Sequence, residues 1–105
     1  MGKGYRAERL GEEIRKVVSD LLLKEIQDPR LSGIVSISAV EVTSDYSYAT
    51  LYISFLDDPN IIKTEDNRKS EVIMAFQGAK GLIRKEIGRQ IKLKHVPDIL
   101  FKIDT

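Results

Sequence analysis

The stretch that decides the fold is Val72-Ile73-Met74-Ala75-Phe76-Gln77-Gly78-Ala79-Lys80-Gly81-Leu82-Ile83-Arg84-Lys85-Glu86-Ile87. Its apolar residues Val72, Phe76, Ala79, Ile83 and Ile87 hold helical spacing from one end to the other. Inside it sit Gly78 and Gly81, each costing roughly 1 kcal/mol relative to alanine in a helix interior. Two glycines three apart predict a kink or two short abutting helices rather than one straight rod. The helical region starts near Thr64 or Asp66, either of which is able to cap it.

Outward from this element the chain alternates readable segments and turns. Downstream, Pro97 precedes Ile99-Leu100-Phe101-Lys102-Ile103, a short strand. Upstream, residues 34–43 are rich in β-branched side chains and suit a strand. Ala49, Leu51, Ile53 and Phe55 then alternate with Tyr48, Thr50, Tyr52 and Ser54, a strand with one apolar face. Ser44-Asp45-Tyr46-Ser47 reads as the turn of a hairpin, because Ser and Asp side chains bond their own backbone. Asp57-Asp58-Pro59-Asn60 ends the second strand and opens a polar loop. At the front, Leu10, Ile14, Val17, Val18 and Leu21 form one helical stripe, predicting a helix over residues 5–26 that stops at Asp28-Pro29. The order is αββααβ, an α+β architecture without repeats or low-complexity segments.

Composition bounds the function. The chain has 105 residues, with 17 Lys plus Arg against 16 Asp plus Glu, a net charge of +1. That length predicts a single domain over residues 1–105. There is no cysteine, hence no disulfide and no thiolate metal site. The basic N-terminus is not followed by an apolar run, and no run approaches the roughly 20 residues that span a bilayer. The expectation is a cytoplasmic protein with no membrane partner. The charge average, however, hides its distribution. Residues 1–30 carry seven basic and six acidic side chains, residues 31–67 six acids against Lys63 alone, and residues 68–105 nine basic against four acidic. The near-neutral total is thus an acidic hairpin and loop cancelling a basic C-terminal part, and local distribution is what sets the field a partner meets.

Nothing in the sequence supports catalysis. One histidine and no cysteine remove Cys-His nucleophilic sites and most zinc constellations. Asp28 and Asp57-Asp58 sit beside prolines, as solvated turn residues do. No phosphate-binding loop or dinucleotide fingerprint occurs. His95, between Lys94 and Val96, reads most simply as a connector residue. The protein is therefore expected to be no enzyme, with no catalytic residues, cofactor, metal or small-molecule substrate.

The basic cluster is the better candidate. From residue 80 to 95 the chain carries Lys80, Arg84, Lys85, Arg89, Lys92 and Lys94 against Glu86 alone. On a helix Lys85, Arg89 and Lys92 form a stripe away from Ile83 and Ile87, while Lys80 and Arg84 flank the apolar face. Such a surface neutralises phosphates and releases counterions, the main sequence-independent force for nucleic-acid binding. The plain alternative is a solvated helix face. Gly78-Ala79-Lys80-Gly81 is also a literal G-x-x-G between helical segments, the arrangement by which KH domains clamp a nucleic-acid backbone. Read structurally, the glycines merely let two helices cross closely.

The whole chain resembles the bacterial ribosome-binding factor A family. The resemblance rests on residues 6–25 leading into Asp28-Pro29-Arg30, on Val40-Glu41-Val42-Thr43-Ser44-Asp45 followed by Ala49, on Gly81-Leu82-Ile83-Arg84, and on Leu93-Lys94-His95-Val96-Pro97-Asp98-Ile99-Leu100-Phe101. It implies a KH-like (type II) fold, a three-stranded sheet packed against helices. It also implies an interhelical kink at Ala79-Lys80-Gly81 in place of a G-x-x-G loop; Gly78 lets the sequence read as both, and the kink is preferred. The implied function is a non-catalytic assembly factor that binds the free 30S subunit, assists late maturation and 16S rRNA processing, and matters in cold adaptation. Its partners would be the small ribosomal subunit and 16S rRNA, and the protein a monomer. Family members commonly continue past the point where this chain stops, at Phe101-Lys102-Ile103-Asp104-Thr105, and the resemblance leaves two readings open, a shortened sequence or a member without the tail.

On this reading the rRNA contacts are Lys80, Arg84, Lys85, Arg89, Lys92 and Lys94. Arg6, Arg9 and Arg30 are weaker candidates, because acids accompany the first helix throughout and Arg30 sits in what reads first as a helix stop. The alternative is a stand-alone KH module binding single-stranded RNA through Gly78-Ala79-Lys80-Gly81. A third class, a protein-binding adaptor, would use Tyr48 and Tyr52 on the open sheet face.

Overall fold

Helix α1, Ala7–Lys24, turns its whole predicted stripe inward: Leu10, Ile14, Val17, Val18 and Leu21 are all buried. The computed structural model describes residues 6–26, 28, 31, 34–56 and 65–104. The helix is shorter at both ends than its periodicity suggests, and its last turn closes with the Glu25 N–H donating to the Leu21 carbonyl at 2.8 Å. Pro29 and Arg30 lie outside the described residues, as do the Asp57-Asp58-Pro59-Asn60 loop and Thr64. Gly11 brings α1 hard against the sheet. A Cβ at this position would stand 2.6 Å from the Val40 carbonyl oxygen, so only glycine permits the approach.

Strands β1, Ile34–Val42, and β2, Tyr48–Leu56, form the expected antiparallel hairpin. Asp45 organises its turn, accepting from the Thr43 hydroxyl at 2.8 Å and the Ser47 N–H at 3.1 Å. Tyr46 takes a left-handed conformation there, with φ 62°. The register shifts between Ile37 and Ala39, leaving Ser38 as an extra residue. Because strand side chains alternate faces, this bulge is what allows both Ile37 and Val40 to pack toward the core. The Ser38 hydroxyl spans to Asp104 at 2.7 Å and to the Tyr52 carbonyl at 3.1 Å.

The third strand, β3 (Asp98–Ile103), pairs parallel to β2, giving the sheet order β1-β2-β3. A parallel neighbour requires a crossover. It is supplied by α2, Glu65–Gly78, and α3, Lys80–Ile91, with Asp66 inside the helix rather than capping it. Only Ala79 separates the two helices. Its φ of −94° and ψ of 1° lie in the bridge region, and its N–H is shared between the Ala75 and Phe76 carbonyls at 3.2 and 3.0 Å. The element is therefore a kink, as the resemblance implied, with no intervening loop. Gly81 has nothing within 4 Å of its would-be Cβ, so close crossing of the helices is not its purpose. The helices and inner sheet face enclose one core of Ile37, Leu51, Ile53, Phe76, Ile83 and Ile99 with the α1 stripe. The Phe76 and Phe101 rings meet within it at 5.5 Å. On the outer sheet face Tyr48 is exposed, while the half-buried Tyr52 donates its hydroxyl to Glu41 across the hairpin.

Candidate nucleic-acid interface

Helix α3 buries Ile83, Ile87 and Ile91, one residue per turn. That inner line forces the cations between them outward: Arg84, Lys85 and Arg89 are exposed. The helix ends at Ile91. Lys92 caps it in the left-handed conformation, φ 58° and ψ 48°, with its N–H donating to the Gly88 carbonyl at 3.2 Å. The predicted stripe of Lys85, Arg89 and Lys92 is thus broken after Arg89, because the cap turns the chain and Lys92 no longer follows helical spacing. The α3–β3 linker folds back over α3. A Cβ on Gly88 would come within 3.1 Å of Val96 Cγ2, and Arg84 Nη2 lies 3.5 Å from the Val96 carbonyl. Lys92, Lys94 and His95 remain exposed along this linker.

Partners divide the six predicted contacts into two sets. Lys80 Nζ stands 3.2 Å from Asp98 Oδ1 at the start of β3, and this bond holds the Asp98 carboxyl below its usual pKa. Arg89 Nη2 lies 2.7 Å from Glu86 Oε1, and the Gln90 amide donates to the same oxygen at 3.0 Å. The Arg89 hydrogen bond first, then that of Gln90, lowers the Glu86 pKa to about 2. By contrast Arg84 bonds the Val96 carbonyl and has no carboxylate within ion-pair distance among the described residues, though its charge also reaches Asp98. Among the described residues, Lys85, Lys92 and Lys94 have no carboxylate within ion-pair distance. Exposed ion pairs contribute about 0–1 kcal/mol, so Lys80 and Arg89 can still exchange their partners for phosphate, at the cost of releasing a carboxylate.

Charge counting along the chain also missed a buried cation. Arg68 is 2% exposed, with its guanidinium 5.5 Å from the Phe55 ring centroid and 3.9 Å from Glu71. It belongs to the packing of α2 on the sheet and presents no charge to solvent. Its i, i+3 spacing to Glu71 was the one signal available in the sequence. The secondary candidates Arg6 and Arg9 are exposed at the start of α1, Arg9 already engaged by a neighbour. Arg30 lies outside the described residues. Among those residues no cluster of His, Cys, Asp or Glu is placed to hold a metal ion, and no helix is long and apolar enough to cross a membrane.

Fold and surface together define a KH-like α+β protein whose third helix and following linker carry an outward-facing basic surface. The family described as ribosome-binding factor A matches residues 6–105. A curated relative of that name from Clostridium botulinum is 40% identical over 101 residues, covering 96% of this chain and 78% of the relative. The chain belongs to the ribosome-binding factor A family. A solution NMR structure of a Thermotoga maritima protein whose proposed identity is ribosome binding factor A superposes with a TM-score of 0.78. It is 33% identical and covers 100% of this chain and 92% of that one. Coordinates of the Thermus thermophilus factor, fitted into a cryo-electron-microscopy map of its complex with 30S, give a TM-score of 0.69 at 16% identity, covering 91% and 92%. At that identity the likeness is one of fold.

Proposed function

We propose that this protein is a cytoplasmic, monomeric and non-catalytic assembly factor that binds the free 30S subunit through 16S rRNA. In that role it assists late subunit maturation and rRNA processing, and it matters most in the cold. Arg84, Lys85, Lys92 and Lys94 make the principal phosphate contacts. Lys80 and Arg89 join when phosphate displaces Asp98 and Glu86, and Arg6, Arg9 and Arg30 lie at the margin. One observation carries the reading: four exposed cations with no carboxylate within ion-pair distance among the described residues are gathered on α3 and its linker, in a chain of this family. The Thermus thermophilus relative fitted into a 30S complex supports the same partner. Phosphate contacts position a protein without reading sequence, so specificity comes from the shape of the subunit site.

The stand-alone single-stranded RNA module draws no support from the kink, since α2 and α3 abut with one residue between them. The test is co-sedimentation with purified 30S subunits over a salt series. Four phosphate contacts predict a log–log slope of roughly −3. Salt-insensitive binding, or full binding after charge reversal of Lys85, Lys92 and Lys94, rejects the assignment.

A further inference from the structure

Beside the basic end lies a groove of about 630 Å³, between the β1–β2 turn and the α3–β3 linker. That volume falls within the roughly 300–1,000 Å³ of sites that hold small ligands. Leu10, Leu93 and Val96 give it an apolar lining, and Tyr46, 41% exposed, contributes from the hairpin turn. Arg84, Lys94 and His95 supply its basic side.

We infer that this groove takes one unstacked nucleotide of the bound RNA, its base against Tyr46 and the apolar lining, its phosphate between Arg84 and Lys94. The inference rests on the rRNA-binding reading above and adds to it a place where a base, rather than the backbone alone, is held. Charge complementarity selects this occupant. Arg84 and Lys94 face the two lining acids, Asp98 and Asp45; Asp98 already holds Lys80, and Asp45 the Thr43 hydroxyl and the Ser47 N–H, which leaves both cations hydrogen-bonding capacity for a phosphate. The groove is also continuous with the candidate phosphate surface: Arg84 and Lys94 belong to both. An RNA strand held by Arg84 and Lys94 therefore passes its mouth. An apolar slot beside cations and an aromatic ring suits an extruded base, because every base has a face to stack and a phosphate attached.

Backbone strain also falls at the groove. Tyr46 holds a left-handed conformation, φ 62°, where it lines the groove from the turn. Bulky side chains at such positions cost energy that glycine or asparagine would avoid, and strain of this kind gathers where a side chain is needed for a task.

The experiment compares 30S affinity and its salt slope for the parent protein, Tyr46→Phe and Tyr46→Asn. Asparagine tolerates the left-handed turn and removes the ring. Loss of one stacked base corresponds to an affinity drop of about 5- to 150-fold. That drop is expected for Tyr46→Asn, with the salt slope unchanged, while Tyr46→Phe keeps near-parent affinity. If Tyr46→Asn shifts the unfolding midpoint, His95→Ala reads the same groove from the linker side. Parent-like binding by both Tyr46→Asn and His95→Ala, alongside weakened binding by the charge-reversed protein, overturns the groove and leaves the rRNA reading intact. Parent-like binding by the charge-reversed protein overturns both. A benzophenone side chain at position 46 should crosslink to 16S rRNA in the 30S complex; a crosslink to a ribosomal protein instead makes the occupant a peptide and rejects the inference.

Discussion

Helices α1 and α3 are built to the same plan and end with opposite electrostatics. Each buries one apolar line and turns charged residues to water. In α1 the cations meet acids on their own face: Arg15 lies 3.0 Å from Glu12, and Lys24 lies 3.2 Å from Asp20. In α3 the single acid, Glu86, is taken by Arg89, and among the described residues Arg84 and Lys85 have no carboxylate within ion-pair distance. Counting charges already separates these helices, four cations against four acids in α1 and four against one in α3; asking which cation has a partner says which of them is available. A matched cation must surrender its carboxylate before it can bind phosphate. An unmatched one releases only its counterions.

The largest expected effect breaks this contrast directly. Reversing Lys85, Lys92 and Lys94 to glutamate should weaken 30S binding by about a hundredfold at moderate salt and flatten the salt slope. Reversing Arg15, Lys16 and Lys24 on α1 should change it by about threefold or less, since Arg15 and Lys24 are already ion-paired and Lys16 lies beside the acids Glu13 and Asp20. Equal losses from the two sets, measured by co-sedimentation, would erase the distinction between the helices.

Gly11→Ala tests what α1 is for. With a Cβ forced to 2.6 Å from the Val40 carbonyl, the helix must lift from β1, at a cost of about 1–3 kcal/mol in denaturant unfolding. An unchanged midpoint would mean that α1 has no fixed seat on the sheet.

Glu86→Gln sharpens the contrast from the other side, because it frees Arg89. The salt slope should steepen by about 0.7 to 0.9, one additional phosphate contact. The same variant has an acid signature. Glu86 titrates near 2 in the folded protein instead of its ordinary 4.5, so its contribution to stability is present above about pH 4.5 and is lost as pH falls toward 2. Thermal unfolding of Glu86→Gln should depend less on pH across that window. An identical pH profile would mean that the Glu86–Arg89 bond does not persist in solution.

The smallest effect is expected at Gly81. Its surroundings are open, so Gly81→Ala should leave the fold intact and raise stability by up to about 1 kcal/mol. Unchanged 30S binding then fits a kink with only structural work. Lost binding with improved stability would show RNA backbone approaching the glycine closely.

Much of the architecture was legible because periodicity survives in a single sequence. The α1 stripe, the alternation of β2 and the spacing of Ile83 and Ile87 each name an element and its buried face, and all three are seen. The paired glycines announced the break at Ala79 correctly. The basic stripe was carried past the end of α3, since nothing local marks Lys92 as a left-handed cap; helices usually place glycine there. The bulge at Ser38 escaped notice because an extra residue is visible only against its partner strand. In the candidate site, the identity of the basic residues was legible and their availability was not.

The sequence by itself determined the order of elements, which faces are apolar, and that positive charge gathers beyond residue 80. Those are local properties of spacing and composition. Only the tertiary structure decided that Arg68 is buried, that Lys80 is tied to Asp98 across the crossover, and that Tyr46 and His95 share a groove from 49 positions apart. These facts depend on a parallel β2–β3 pairing and on the linker folding back over α3, and no window of the chain contains both partners of either contact.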